Sequence, residues 1–300
     1  MNKAANTLKR KDLLLEQRRT FALFTIPGVL MYCVFLLLPI ISGIYYSLMD
    51  WNGISPKYNF VGLDNYSRLL TDTRFHSALL FNARYAVMLV VCVVTIGVVL
   101  ALLLNSQFRG RSFFRTLYFL PAVLSSITVS LIFNQIFYRA VPAMAVSLGV
   151  QSLQTNILAQ LDKAIYGILF VHVWQGLAIP TLLFLSGLQT IPADLYEAAA
   201  IDGATPVQQF RSITFYYLLP SLSVVLVLMV KSGLMVFDQV KSMTGGGPGG
   251  ATQSIALLIY NNGFERNRYS YSIAQAIVTG LIIALISVVQ IRLTGRKRVE

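Results

Sequence analysis

The chain is poorly equipped for covalent chemistry. Its two histidines, His76 and His172, are far apart in sequence, and its two cysteines, Cys33 and Cys92, fall inside apolar runs. No metal site, disulfide or histidine-based catalytic cluster is signalled. The polar groups that stand out lie where water is scarce. Lys231 and Asp238 are seven residues apart in an apolar stretch, which on one continuous helix is two turns and a shared face. An ionisable group among lipid is costly and marks a functional position by default. The pair therefore reads as lining a pathway. The competing reading leaves Asp238 at an interface and Lys231 on a neighbouring carbonyl or a partner-subunit acid. His172 and Gln175 share a face, with Trp174 beside them. An aromatic ring stacks on a pyranose face while amides bond its hydroxyls, so the trio suits a carbohydrate, though Trp174 fits ordinary packing as well. Asn134 and Gln135 are pathway candidates of the same kind.

Two further stretches carry a pattern. The first is Glu197-Ala198-Ala199-Ala200-Ile201-Asp202-Gly203-Ala204-Thr205-Pro206-Val207-Gln208-Gln209-Phe210-Arg211. Pro192 suits a first helical turn, the alanines propagate the helix, and Gly203 suits its left-handed end. Thr205, Pro206 and Gln208 then spell an N-cap, a first-turn proline and a capping box. Two short helices with a break at Gly203 are expected, either as an interfacial hairpin or as a docking element. The second stretch, Gly245 to Gly250, imitates a phosphate-binding loop, but Ala251-Thr252 replaces the Lys-Ser/Thr pair that holds phosphate and magnesium. It reads as a tight turn.

The elements that must position these groups are apolar. Hydrophobic residues make up 56% of the 300-residue chain and charged residues 12%, about half the charged share of soluble domains. Apolar runs of about 20 residues define an all-α polytopic membrane protein. Six transmembrane helices are expected, at roughly 21–48, 83–105, 115–138, 165–188, 217–238 and 271–293, the first kinked or interrupted at Pro27 and Pro39. The first run is too long for a signal peptide and has no small-residue cleavage site. The expected organisation is a basic N-terminal segment at 1–20, a six-helix domain at 21–293 with a polar loop at 192–213, and a tail at 294–300.

Lysine and arginine orient this array. Six in the N-terminal segment, with Arg109, Arg111, Arg115, Arg211, Arg292, Arg296, Lys297 and Arg298, put fourteen on the side of the termini against nine opposite. The basic side is cytoplasmic, so both termini and the Glu197–Arg211 stretch are expected in the cytoplasm. The net charge of +12 is then mainly topological, aided by anionic lipid, and nucleic acid is not an expected partner. No internal repeat is visible, which counts against carriers built from paired halves.

The spacing Glu197-Ala198-Ala199, three residues, Gly203, nine residues, Ile213 resembles the EAA loop of permease subunits from binding-protein-dependent ABC importers. That pattern ends Ile-x-Leu-Pro, whereas Phe215-Tyr216 occupy the Leu-Pro positions here and a proline follows only at Pro220. Further motifs resemble the carbohydrate-uptake branch, of maltose and multiple-sugar type. They are Val61-Gly62-Leu63-Asp64-Asn65-Tyr66, Leu102-Leu103-Leu104-Asn105, Arg109 to Arg115, Phe119-Leu120-Pro121 at the expected start of span three, and Thr244-Gly245-Gly246-Gly247-Pro248 with Ala251-Thr252 and Tyr260. In this order they cover most of residues 20–293.

The resemblance implies a type I ABC importer permease fold in a bacterial or archaeal cytoplasmic (inner) membrane. It implies a homologous second permease forming a heterodimer, two ATPase subunits, an extracytoplasmic solute-binding protein and a carbohydrate substrate. Glu197, Ala198, Ala199, Asp202 and Gly203 become ATPase-coupling residues. Glu197 pairs with a basic group of the ATPase, the alanines permit close approach, and Gly203 sets the angle between the short helices. No cofactor is expected on this chain, because ATP and Mg belong to the ATPase subunits, and no covalent step is expected of it. The alternative from another class is an ion-coupled secondary transporter. It calls for an internal repeat and embedded carboxylates, and only Asp238 lies near a span.

Overall fold

Lipid offers a backbone no hydrogen-bond partner, so each apolar run must bond within its own segment, as a helix does. The computed structural model describes residues 20–106 and 109–295. The expected N-terminal segment (apart from Thr20) and most of the expected tail lie outside the described residues. In chain order, α1 is Thr20–Ser47, β1 and β2 are Met49–Asp50 and Asn59–Phe60, α2 is Asp64–Thr71, and α3 is Thr73–Asn105. Next come α4 (Arg111–Val123), α5 (Ser126–Ser147), α6 (Ala164–Gly176), α7 (Ala178–Gln189) and α8 (Ala193–Ile201). The chain closes with α9 (Pro206–Leu234), α10 (Asp238–Met243), α11 (Ile255–Tyr260) and α12 (Tyr269–Gly295). Among the described residues five helices are long and apolar enough to cross a membrane (α1, α3, α5, α9 and α12), or up to six if the bent pair α6–α7 forms one span.

Apolar helices occupy the expected regions with shifted ends, and the expected third and fourth spans are not single helices. Span three was expected as one helix over 115–138, but it is broken at Leu124 and Ser125, both in extended conformation. The Phe119-Leu120-Pro121 motif therefore closes α4 instead of starting a span. Pro121 has no N–H for the Leu117 carbonyl one turn back, and the Leu124 carbonyl, which the break leaves without a helical donor, accepts from Gln175 Nε2 at 2.8 Å. Span four bends by 47° between α6 and α7. Pro180 supplies the cause, since it has no N–H for the Gly176 carbonyl one turn back. Span five begins at Pro206 and stops at Leu234, so Asp238 is not on it and the shared helical face expected with Lys231 does not exist. The first span runs unbroken through Pro27, and a π-turn at Cys33–Leu37 precedes Pro39. A two-residue antiparallel pairing, Met49 with Phe60 and Asp50 with Asn59, is a small exception to the all-α expectation.

Packing centres on α3. Its Tyr85, Leu89 and Val93 are fully buried against Ile168 and Val171 of α6, with Val236, Val240 and Leu257 completing the cluster. Nearer its other end, Ala101 and Leu104 pack with Phe184 and Leu188 of α7 and with Leu218 and Val225 of α9. Where α9 crosses α3, a Cβ on Gly233 would stand 2.6 Å from the Ala86 Cα, a backbone atom unable to yield cheaply. Gly233→Ala is therefore expected to cost about 1–3 kcal/mol by overpacking, read as a lower unfolding midpoint of the purified protein. Among the described residues, nothing buries the most apolar stretch of α1.

Candidate functional site

The polar loop folds as its local signals dictate. Beyond α8, Ala204 N donates to Ala199 O at 2.9 Å and Gly203 N to Ala200 O at 3.1 Å. This paired closure satisfies the last helical carbonyls and needs a left-handed residue, and Gly203 supplies it with φ +74°. Thr205 and Gln208 then form the expected capping box, with Pro206 at the first helical position. Pro192 stands one residue earlier than expected, as the N-cap of α8. Tyr196 Oη and Thr214 Oγ1 share a hydrogen bond of 2.8 Å that ties α8 to the start of α9. The loop presents Glu197 and Asp202 beside two bare apolar groups, Ile201 at 86% exposure and Val207 at 68%. Exposed apolar residues rimmed by charge mark a contact surface.

The exit from this loop is continuous. A π-turn at Phe210–Thr214 leads into Phe215 and Tyr216 without a break, and α9 continues to Leu234. Twenty-nine residues at about 1.5 Å each make a rod of roughly 43 Å. Phe215-Tyr216 in place of Leu-Pro thus leaves the loop joined to a single long helix.

At the far end of that rod, Lys231 and Ser232 enter a cleft of about 510 Å³ between α9, α6 and the break after α4. His172 is buried in its wall, with Nδ1 3.0 Å from Tyr85 Oη and Nε2 2.9 Å from Ser232 Oγ. Both ring nitrogens are satisfied. Gln175 bonds the Leu124 carbonyl, and its Oε1 accepts from Ser126 Oγ at 3.3 Å. Asp238 and Gln239 reach the same cleft from α10, after the chain turns at 235–237. Lys231 is exposed to the cleft and Asp238 is half-buried. A cation, a carboxylate, amides and hydroxyls around one space suit a ligand rich in hydroxyl groups.

Of the residues singled out from sequence, the fold gathers His172, Gln175, Lys231 and Asp238 into this cleft. It does not gather Trp174, which points the other way. Its ring meets Phe133 at 5.3 Å and borders a separate apolar cavity of about 380 Å³ with Leu117 and Tyr118. Two residues along a helix is a rotation of about 200°, so Trp174 and His172 cannot share a face. Asn134 is also elsewhere, its Nδ2 donating to Met243 O at 2.7 Å to close the end of α10, and Gln135 is exposed outside the cleft. Ser126, Ser232 and Gln239 were missed. Ser232 and Gln239 each adjoin a flagged charge, and Ser125-Ser126 after Pro121 was a signal for the break. The glycine-rich turn uses Thr252 internally, its Oγ1 donating to Gly247 O at 2.6 Å in full burial, so it is turned away from any phosphate or magnesium.

Known proteins share this sequence and architecture. The family model for the binding-protein-dependent transport system inner membrane component matches residues 93–299. The multiple sugar-binding transport system permease protein MsmF of Streptococcus mutans is 43% identical over 273 residues, covering 91% of this chain and 94% of that one. The trehalose/maltose transport system permease protein MalF of Thermococcus litoralis is 35% identical over 280 residues, covering 92% and 93%. In fold, a chain of a bacterial ABC transporter involved in import of the acidic polysaccharide alginate matches with a TM-score of 0.80 at 20% identity, over 95% of this chain and 99% of that chain. A second structure of a bacterial alginate ABC transporter, in complex with an alginate pentasaccharide-bound periplasmic protein, matches with a TM-score of 0.82 at 20% identity, over 94% and 96%. With a sequence match that runs through the loop, the cleft and the last span, the chain belongs to the inner membrane components of binding-protein-dependent transport systems.

Proposed function

We propose that this chain is a six-span permease subunit of an ATP-driven importer for a sugar or oligosaccharide, set in a bacterial or archaeal cytoplasmic membrane with both termini in the cytoplasm. The observation that carries the reading is the single helix α9, which joins the Gly203 loop at one end to Lys231 and Ser232 in the cleft at the other. The loop, with Glu197, Ala198, Ala199, Asp202 and Gly203, docks on one of two ATPase subunits, which hold ATP and Mg. A homologous second permease completes a heterodimer, and an extracytoplasmic solute-binding protein delivers the ligand to the opposite face. His172, Gln175, Lys231 and Asp238 form this subunit's part of the path, with Ser126, Ser232 and Gln239. The named relatives for multiple sugars and for trehalose/maltose support a carbohydrate. ATP and the loaded binding protein drive the cycle only by binding one state of the path more tightly than the other.

The test is reconstitution with the second permease and the ATPases in proteoliposomes. Uptake of a radiolabelled sugar panel should need both ATP and the binding protein, and should persist when proton and sodium gradients are collapsed. Uptake that follows an ion gradient without ATP would overturn the proposal.

A further inference from the structure

A regular helix ends with carbonyls that nothing within it satisfies, and α9 ends inside the protein. Its last regular bond is Met235 N to Lys231 O at 3.0 Å, after which the backbone turns away. The carbonyls of Gly233 and Leu234 are taken instead by one side chain, Asn82 of α3, whose Nδ2 donates to them at 3.2 and 2.8 Å. The other half of the same amide, Oδ1, accepts from Ile255 N at 2.8 Å, the first helical amide of α11. Asn82 has no exposed surface. Among the described residues no other hydrogen bond joins the end of α9 to α11. One helical turn from Asn82, Ala86 is the residue that Gly233 touches backbone to backbone. Three elements distant in sequence therefore meet at one amide.

The two sides of this joint lead to opposite ends of the molecule. The α9 side is the rod that begins at the Gly203 loop. The α11 side continues through Leu258 and Asn262 to Arg266, which border a polar cleft of about 680 Å³ at the other end of the bundle. We infer that Asn82 is a positioning residue for transport: it makes the end of α9 and the start of α11 move as one body, so that displacement at the loop reaches the opposite face. This inference rests on the importer reading above. A buried amide bonded on both halves is suited to the task, because breaking any of its three bonds leaves a polar group unpaired away from water.

The experiment places environment-sensitive fluorophores on the assembled transporter, with Cys33→Ser and Cys92→Ala removing the native thiols. One reporter is Met235→Cys at the end of α9 and the other is Phe264→Cys beyond α11, both at exposed positions. Adding a non-hydrolysable ATP analogue should change both signals in the otherwise unaltered chain. In Asn82→Ala the Met235 response should persist while the Phe264 response falls at least fivefold. Asn82→Asp keeps the acceptor for Ile255 and loses the donors, so it should fall between. Leu89→Ala, an equally buried core change, should lower stability and leave both responses. Gly233→Ala, which parts the same joint from its other side, should reproduce Asn82→Ala and serves if that variant does not assemble. A full Phe264 response in Asn82→Ala or Gly233→Ala, or equal loss in Leu89→Ala, overturns the inference. Silence of both reporters in the unaltered chain overturns the importer reading itself.

Discussion

A Gly203→Pro chain is expected to insert with its membrane helices intact and to lose ATP-driven uptake almost completely. Gly203 sits at φ +74° and donates its N–H to Ala200 O. Proline fixes φ near −65° and has no N–H, at a cost of about 3 kcal/mol or more in such a place. The chain escapes that cost by opening the paired closure, which changes the angle between α8 and α9. At about 1.4 kcal/mol per factor of ten, roughly a hundredfold fewer molecules keep the docking geometry. Gly203→Ala is the milder companion. Nothing lies within 4 Å of its new Cβ, so only the left-handed strain of about 1–2 kcal/mol remains, and uptake should drop by about tenfold. Uptake per inserted complex, with ATPase co-purification as the second readout, decides the matter. Normal uptake by Gly203→Pro would show that the loop does not couple anything.

The cleft makes the second large prediction, a contrast between neighbours. His172→Leu removes the partner of Tyr85 Oη, which is buried, and of Ser232 Oγ. An orphaned buried hydroxyl costs about 1–3 kcal/mol, and the cleft wall becomes apolar where it was hydrogen-bonding. KM for uptake should rise about tenfold or more. Trp174→Ala should shift KM by less than about twofold, because that ring belongs to the apolar cavity on the other side of α6. Both variants must first be shown to insert at normal levels, since each also alters packing. If Trp174→Ala weakens uptake as much as His172→Leu, the path runs through the other cavity.

These contrasts show where sequence reasoning reached and where it stopped. The membrane class, the presence of several long apolar helices, the break at Gly203 and the caps of the following helix were all legible. Each depends on residues within about four positions of one another or on the composition of a single run, and lipid lets such a run form little besides a helix. The loop could be read for the same reason, since a capping box and a left-handed glycine are local devices.

The cleft and the Asn82 joint were not legible. Seven-residue spacing put Lys231 and Asp238 on one face of one helix. They do share a cleft, but they reach it from two helices, because α9 ends at Leu234. The breaks that shape this region leave backbone carbonyls that must find donors, and the donors come from far along the chain. Gln175 serves Leu124 from 51 residues away, and Asn82 serves Leu234 from 152. By itself the sequence determined that this is a helical membrane protein with a capped polar loop broken at Gly203 and a family pattern. Only the tertiary structure decided which polar groups meet, because an orphaned backbone carbonyl inside a bundle is satisfied by whichever side chain the packing brings within about 3 Å.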